Sequence, residues 1–453
     1  MAPDVPPTPL QQDSLFAWQR VADAAADVQY GDSQSASYRA DLHLHSSYAQ
    51  GTANDITIPT LAQWARRKGI HLLAAADFTH PAWRTHLQEM LQPTAGDLFT
   101  YEDAHFILGT ELSCVFKHTG KGRRMHLLVY VPSFAAVEKL CRFLERIGAK
   151  LAWDGRPFIS LHARELAAAI LEIDPRCLIV PAHAWTPWYA LFGSKSGFDS
   201  LEECFGDLAP AIPALETGLS SDPAMNWRVP DADGRSIVSF SDAHSLRNLG
   251  REVTAFQGPL TFDGLATALR EERIAYTVEY YPEEGKYHAT GHRACNVRYL
   301  PADTQANGTT CPVCNRTLTV GVLERVEALA TRPESCVIAD EQGFLHGPGG
   351  RPPFKRVVPL AQILAEALGV GERTKTVARV YNELITTLGA ELSILLETPL
   401  EAIATVAGER IAAGVGRMRS GDLVIEPGYD GLYGTVRIWP DERRGGSRTA
   451  PTL

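Results

Sequence analysis

Asp41-Leu-His43-Leu-His45 places two imidazoles on alternate residues. The two-residue period of an extended strand points both to one side, within reach of a single metal ion. The same residue types close several other apolar runs: Asp77 and His80 after LLAAA, Glu111 after FILGT, His183 after CLIVPA, and Asp242 with His244 after IVSFS. His126 instead stands at the start of such a run, MHLLVYV. Six histidines and three carboxylates form a donor set for several metal ions. Imidazole nitrogen suits Zn, Fe or Mn, and carboxylates bridge ions and offset their charge. Taken singly, each histidine is equally well explained as a hydrogen-bonded structural residue. Their shared position along successive apolar runs is what argues for a common centre.

A second group has a different character. His292-x2-Cys295 and Cys311-x2-Cys314 are two ligand pairs separated by fifteen residues. Two such knuckles close a tetrahedral structural zinc site, and metal would supply the folding free energy of so small a module. Pro312 and Asn315 favour the tight turn of CPVC. His288 competes with His292 for the fourth position, and the bland alternative is a loop with free cysteines. The other cysteines (Cys114, Cys141, Cys177, Cys204 and Cys336) are scattered. Such usage fits a reducing compartment, so a cytoplasmic protein is expected.

The elements that must position these groups follow from patterning. From Tyr38 to about Tyr281, strand candidates (Arg39–Leu42, Leu72–Ala76, His105–Leu108, Cys177–Val180, Ser236–Phe240) alternate with helix candidates (Ile58–Lys68, Pro81–Leu91, Phe134–Ile147, Glu165–Glu172, Phe262–Glu272). This rhythm predicts an α/β domain with a parallel, closed or nearly closed sheet over residues 38–282, whose carboxyl-end loops converge on one face. Before it lies an N-terminal extension, residues 1–37, with one helix candidate (Leu15–Tyr30). After it come the cysteine module, 283–332, and a C-terminal, mainly helical domain, 333–440, beginning with helices at Leu360–Leu368 and Lys375–Leu388. Residues 441–453 read as a disordered tail. With 453 residues, 45% of them apolar and 21% charged, whole-chain disorder is excluded. No eighteen-residue apolar run and no basic, apolar leader occur, so neither a membrane span nor a secretory signal is expected. The net charge of −10 argues against indiscriminate nucleic-acid binding, yet residues 286–379 carry 12 Lys/Arg against 8 Asp/Glu.

The HxH opening, the Asp after the second strand, GTE, the later strand-end His and S-D-A-H resemble the PHP (polymerase and histidinol phosphatase) domain. That resemblance implies a distorted seven-stranded (β/α) barrel, with a multinuclear metal site that hydrolyses phosphoesters. Its ligands would be His43, His45, Glu111, His126, His183, Asp242 and His244, with Asp77, His80, Glu111 and Asp242 in catalytic roles. Two departures stand out: the usual Asp after HxH is missing from HSSYAQGT, where Gln50 is a poor ligand, and the second-strand pair reads Asp77-Phe-Thr-His80. ADLHLHSSYA, AAADFTHPAW, GTELSCVF, ALETGLSSDPAMNWR and SFSDAHSLRNLGRE, continued by RPPFKRVVPLAQILAEALGVG and IEPGYDGLYG, are together similar to the endonuclease Q family over roughly residues 38–440. This similarity implies incision of DNA on the 5′ side of uracil, hypoxanthine, xanthine or an abasic site, with zinc in the module and zinc, Mn, Fe or Mg in the catalytic cluster.

Arg293, Arg298, Lys355, Arg356 and Lys375 are then candidates for DNA phosphates, and Phe78, Trp185, Trp188 and Trp227 for stacking on an extruded base. The expected partner is damaged DNA, with a sliding clamp or other repair proteins as further candidates. No G-x4-G-K-[ST] motif supports triphosphate hydrolysis. Two rivals remain: a phosphatase acting on a small phosphomonoester, and a non-catalytic DNA-binding protein with a degenerate barrel. The long region after the barrel speaks against the first, and the near-complete ligand set against the second.

Overall fold

The computed structural model describes residues 37–334 and 337–440; the expected helix Leu15–Tyr30, Cys336 and the tail from residue 441 lie outside them. A mixed 13-stranded sheet forms the centre. Its parallel part joins Ser37–Asp41, Leu72–Ala75 and Ala104–His118 through the helices Ile58–Lys68 and Pro81–Met90. Leu72–Ala75 is buried at every position, as a strand covered on both faces must be. Ile58–Lys68 falls where predicted because its ends are written in the sequence. Thr57 and Thr60 form a capping box, three basic residues fill the last turn, and Gly69 closes it at φ 80°.

The expected all-parallel sheet is not observed. Ala104–His118 turns back through Thr119-Gly120 into Lys121–Val131, in register from Leu108 opposite Val131 to His118 opposite Lys121. Both loop residues have positive φ, 47° and 81°, as a two-residue primed turn requires. The strand thought to open at His126 is therefore the second arm of a long hairpin, whose polar tip KHTGKGRR masks it in the sequence. Lys121–Val131 pairs antiparallel with Leu178–Pro181. On the other flank Ser37–Asp41 pairs antiparallel with Val253–Gln257, which pairs with Ile274–Glu279. Ala214–Glu216 and Ser236–Val238 form a separate parallel pair. It is tied to its neighbours by Ala184 N donating to Glu216 O, and by a parallel bridge between Leu44 and Ala243.

Residues 338–356 extend the central sheet rather than starting a separate unit: Phe354–Arg356 pairs in parallel with Ile274–Glu279. This overturns the expected DNA contacts of Lys355 and Arg356. Lys355 is 1% exposed, and its ammonium donates to the Gln342 carbonyl. Burial, with Arg419 nearby, brings it down to about 8. The Arg356 guanidinium is ion-paired with Asp222 and Glu283. Helices Leu360–Leu368 and Lys375–Leu388 stand as predicted, followed by Glu391–Leu396, Leu400–Ala407 and Glu409–Ser420.

The final strand pair, Val424–Glu426 with Thr435–Arg437, carries a turn that reaches the cysteine segment. There the Tyr429 hydroxyl donates to Asn296, and Asp430 accepts from the Thr319 hydroxyl and Arg293 N. One apolar core runs from the sheet into the C-terminal helices, whereas the cysteine segment buries only Val297, Cys311 and Leu318 in a core of its own. Among the described residues no helix is long and apolar enough to cross a membrane.

Candidate metal centre

Seven side chains gather in three overlapping groups: His43–His45–Glu111, His45–Asp242–His244 and Glu111–His126–His183. Within each group the ligand atoms lie within 4.8 Å of one another. His45 belongs to two groups and Glu111 to two. The backbone explains the convergence. His45 N donates to Ala243 O and Ala243 N to His43 O, which zips the two ligand-bearing segments together. Glu111 and His126 are diagonal neighbours on one face of the hairpin, with Oε1 and Nδ1 2.6 Å apart. His183 and Asp242 have positive φ, 31° and 46°, a strained conformation that clusters at functional sites.

The donor set fits divalent cations. His43 Nε2 and Glu111 Oε2 are buried without a hydrogen-bond partner, and such orphaned atoms call for an ion or ordered water. Charge is balanced inside the cluster. Burial raises Glu111, but His126 and His43 beside it hold the carboxyl well below its usual range. Asp242, also raised by burial, is depressed by His43 and His45. Burial lowers His43, yet Glu216, Asp242 and Glu111 push it well above its ordinary value. His45 is carried up to about 9, burial being outweighed by Asp77, Asp242 and Glu111. His183 rises against burial through Glu111, while burial lowers His126 and His244. The carboxylates thus favour positive charge at His43, His45 and His183, and a cation bound there would find the same stabilisation.

Behind these ligands stand carboxylates that orient them. Glu216, passed over in the sequence, lies 2.9 Å from His43 Nδ1 and accepts from His183 N at 2.6 Å. Asp77 is 3.1 Å from His45 Nδ1 and accepts from Ser46 N at 2.6 Å. Such contacts fix the tautomer and direction of a ligating imidazole. Asp77 therefore faces a ligand from behind and is outside the three groups, contrary to its expected catalytic role. His80, given the same role, stacks on Tyr48 at 4.3 Å at the start of Pro81–Met90 and is in none of the groups. Arg156 is a second omission: its Nη1 lies 4.0 Å from Glu111 Oε2. Glu216 was legible, since it ends an apolar run like the other ligands. Arg156 lies on a loop with no motif.

The expected base pocket is not formed by the residues named for it. Phe78, Trp185 and Trp227 are buried in the core, and Trp185 Nε1 donates to Asn226 Oδ1 at 2.8 Å. These aromatics pack beneath the loops and offer no face to a base. Trp188 alone of the four is exposed, at 39%, edge-on to Tyr287.

His292, Cys295, Cys311 and Cys314 form a fourth group, with Cys314 Sγ 3.4 Å from His292 Nδ1. His288, the rival ligand, is buried outside that group with Glu283 and Asp222 as its charged neighbours. Against burial, the backbone N–H groups of Cys314 and Val313 and the His292 side chain bring the Cys311 thiol down to about 6. Arg293, Arg298 and Lys375 are exposed.

Histidines and carboxylates in overlapping groups on a mixed sheet form a candidate centre for several divalent cations. The crystal structure of the lesion-specific endonuclease PfuEndoQ from Pyrococcus furiosus is 31% identical, covers 91% of this chain and 98% of its own, and superposes with a TM-score of 0.77. A structure of endonuclease Q in complex with a 27-mer duplex substrate, an abasic lesion at its active site, matches with the same identity and TM-score over 91% and 99% of the two chains. The chain belongs to the endonuclease Q family and is a hydrolase of the nuclease class. Residues 359–422 match the family described as the MJ0043 C-terminal domain. The uncharacterized protein MJ0043 of Methanocaldococcus jannaschii is 29% identical over 268 residues, 57% of this chain; the match spans about a third (32%) of that protein's length.

Proposed function

We propose that the protein incises DNA on the 5′ side of a deaminated base (uracil, hypoxanthine or xanthine) or an abasic site. The observation that carries this reading is Glu111, a buried carboxylate shared by two ligand groups, with an arginine beside it. Zinc, or Mn, Fe or Mg in its place, would offset the dianionic charge of the phosphodiester transition state and lower the pKa of an attacking water. His43, His45, Glu111, His126, His183, Asp242 and His244 would hold these ions. Asp77 and Glu216 keep the imidazoles aimed, and Arg156 donates to a non-bridging oxygen of the phosphate to be cut. We read the strands from Ser37–Asp41 to Ser236–Val238 as a distorted seven-stranded barrel, supported by their pairings and the Leu44–Ala243 bridge. His292, Cys295, Cys311 and Cys314 suit a structural zinc, and exposed Arg293, Arg298 and Lys375 are suited to DNA phosphates.

The test is incision of end-labelled duplexes carrying each lesion, with the product ends mapped and p-nitrophenyl phosphate and histidinol phosphate assayed alongside. Nicking 5′ to a lesion is expected. Turnover of the phosphomonoesters with every duplex left intact would overturn the reading.

A further inference from the structure

The loop Lys150–Arg156 joins two features that no motif announces. Its inner end is built into the metal centre. A Cβ on Gly155 would meet the Asp77 carboxylate at 2.8 Å, so only glycine lets the backbone approach that closely. Gly155 N donates to Tyr48 O and Gln50 N to Asp154 Oδ1. Arg156 Nη2 donates to Gln50 O, while Nη1 turns toward Glu111. The loop is thus clamped to HSSYAQGT, the segment that follows the first two ligands. Its outer end does the opposite. Leu151 is buried, but Trp153, two residues on, is 77% exposed, the most exposed of the large apolar side chains among the described residues. One face of the indole carries the Lys150 ammonium at 3.9 Å. Tyr48, also on this rim, is 42% exposed.

We propose that Trp153 is the residue that enters the duplex beside the lesion, held in register with the phosphate to be cut by Arg156 on the same loop. This rests on the DNA-incising reading above. Three residues reach at most about 11 Å, roughly three nucleotide steps at 3.4 Å each. Trp153 therefore acts on the bases flanking the scissile phosphate and not on a distant part of the helix. The exposed indole presents a large planar face, and a base offers it a π-face of matching size. Lys150, covering the other face, adds a cation beside the phosphates. The aromatic contact that the buried Phe78, Trp185 and Trp227 cannot make is thereby supplied from outside the barrel's core.

The experiment compares the full-length, metal-loaded wild-type protein with Trp153→Ala and Trp153→Phe. Incision is measured on one abasic strand offered as a duplex and as a single strand, and 2-aminopurine fluorescence is read next to the lesion. Trp153→Ala is expected to lower kcat/KM on the duplex about 5- to 150-fold, the range of one base–aromatic stack, with a clearly smaller loss on the single strand. It should also reduce the 2-aminopurine rise on binding, and Trp153→Phe should recover most of both signals. Equal losses on duplex and single strand, or a Trp153→Ala enzyme as active as wild type on the duplex, would overturn the proposal. A wild-type protein that cuts no lesion would instead defeat the underlying function, and the 2-aminopurine arm would still report on insertion.

Discussion

The two metal-ligand regions are built on opposite principles. The seven clustered side chains sit above a continuous core of the sheet, and the imidazoles of His43 and His45 are held by Glu216 and Asp77. The cysteine group has three buried residues for a core of its own, and one of them, Cys311, belongs to the candidate ligand set. In the first region the fold makes the site. In the second the proposed metal would help make the fold, because the local core of three side chains buries little apolar surface, although Val322 and Val326 of the same segment pack into the main core.

The largest effect expected from this contrast is on activity alone. Glu111→Gln removes the carboxylate common to two groups, and with it several kcal/mol of charge stabilisation, about a thousandfold or more in incision rate. The melting temperature should stay near wild type, which calorimetry beside the nicking assay will show. A large loss of stability would mean that the centre also holds the sheet together. Cys311→Ser should do the reverse. One equivalent of zinc leaves by elemental analysis, and hydrogen exchange speeds up over residues 288–330 while the strands Leu72–Ala75 and Leu178–Pro181 stay protected. Protection unchanged in the module would show that its packing against the Tyr429 turn suffices without metal.

A smaller change sharpens the first half of the comparison. Glu216→Gln leaves every ligand in place but loosens His43, so metal affinity should fall about 10- to 100-fold, measured by chelator competition. A further effect is electrostatic and is read in stability rather than in metal affinity. Glu279 is fully buried among Ser239, Thr277 and Thr217, and burial lifts it to about 7 despite their hydroxyls. Its proton is held more tightly folded than unfolded. Stability is therefore greatest below about 4.5 and is lost as pH rises through about 7, by up to about 3 kcal/mol. Glu279→Gln should melt higher than wild type at pH 8, with the gap closing toward pH 5.

Much of this was legible because local rules agree with the fold. Ile58–Lys68, Leu360–Leu368 and Lys375–Leu388 are found at their predicted limits, since periodicity and end residues coincide. Apart from His126, which opens an apolar run, the candidate ligands were readable as polar residues ending apolar runs, a rule that also covers Glu216. The long hairpin was hidden because its outer half is only partly buried and its tip is polar. Lys355 and Arg356 were misread because a charged residue in a strand edge looks solvated until another strand and Asp222 cover it. Aromatic exposure has no local signature: Trp185 and Trp153 have similar neighbours in sequence and opposite surroundings in space.

The hairpin that carries Glu111 and His126 also sets a rule for how the chain can change length. Side chains alternate faces along both arms, so one residue inserted between Glu111 and the Thr119-Gly120 turn, or between the turn and His126, would force a bulge or rotate one ligand away from the other. Below the two ligands the arms run on to the paired tip His118–Lys121, beyond the last ligand position. Variation among related chains should therefore enter as matched pairs that lengthen both arms, or at the tip itself, leaving the rungs from Leu108 to Ser113 constant in number. The same tip is then the natural place to graft a loop or a tag without touching the chemistry.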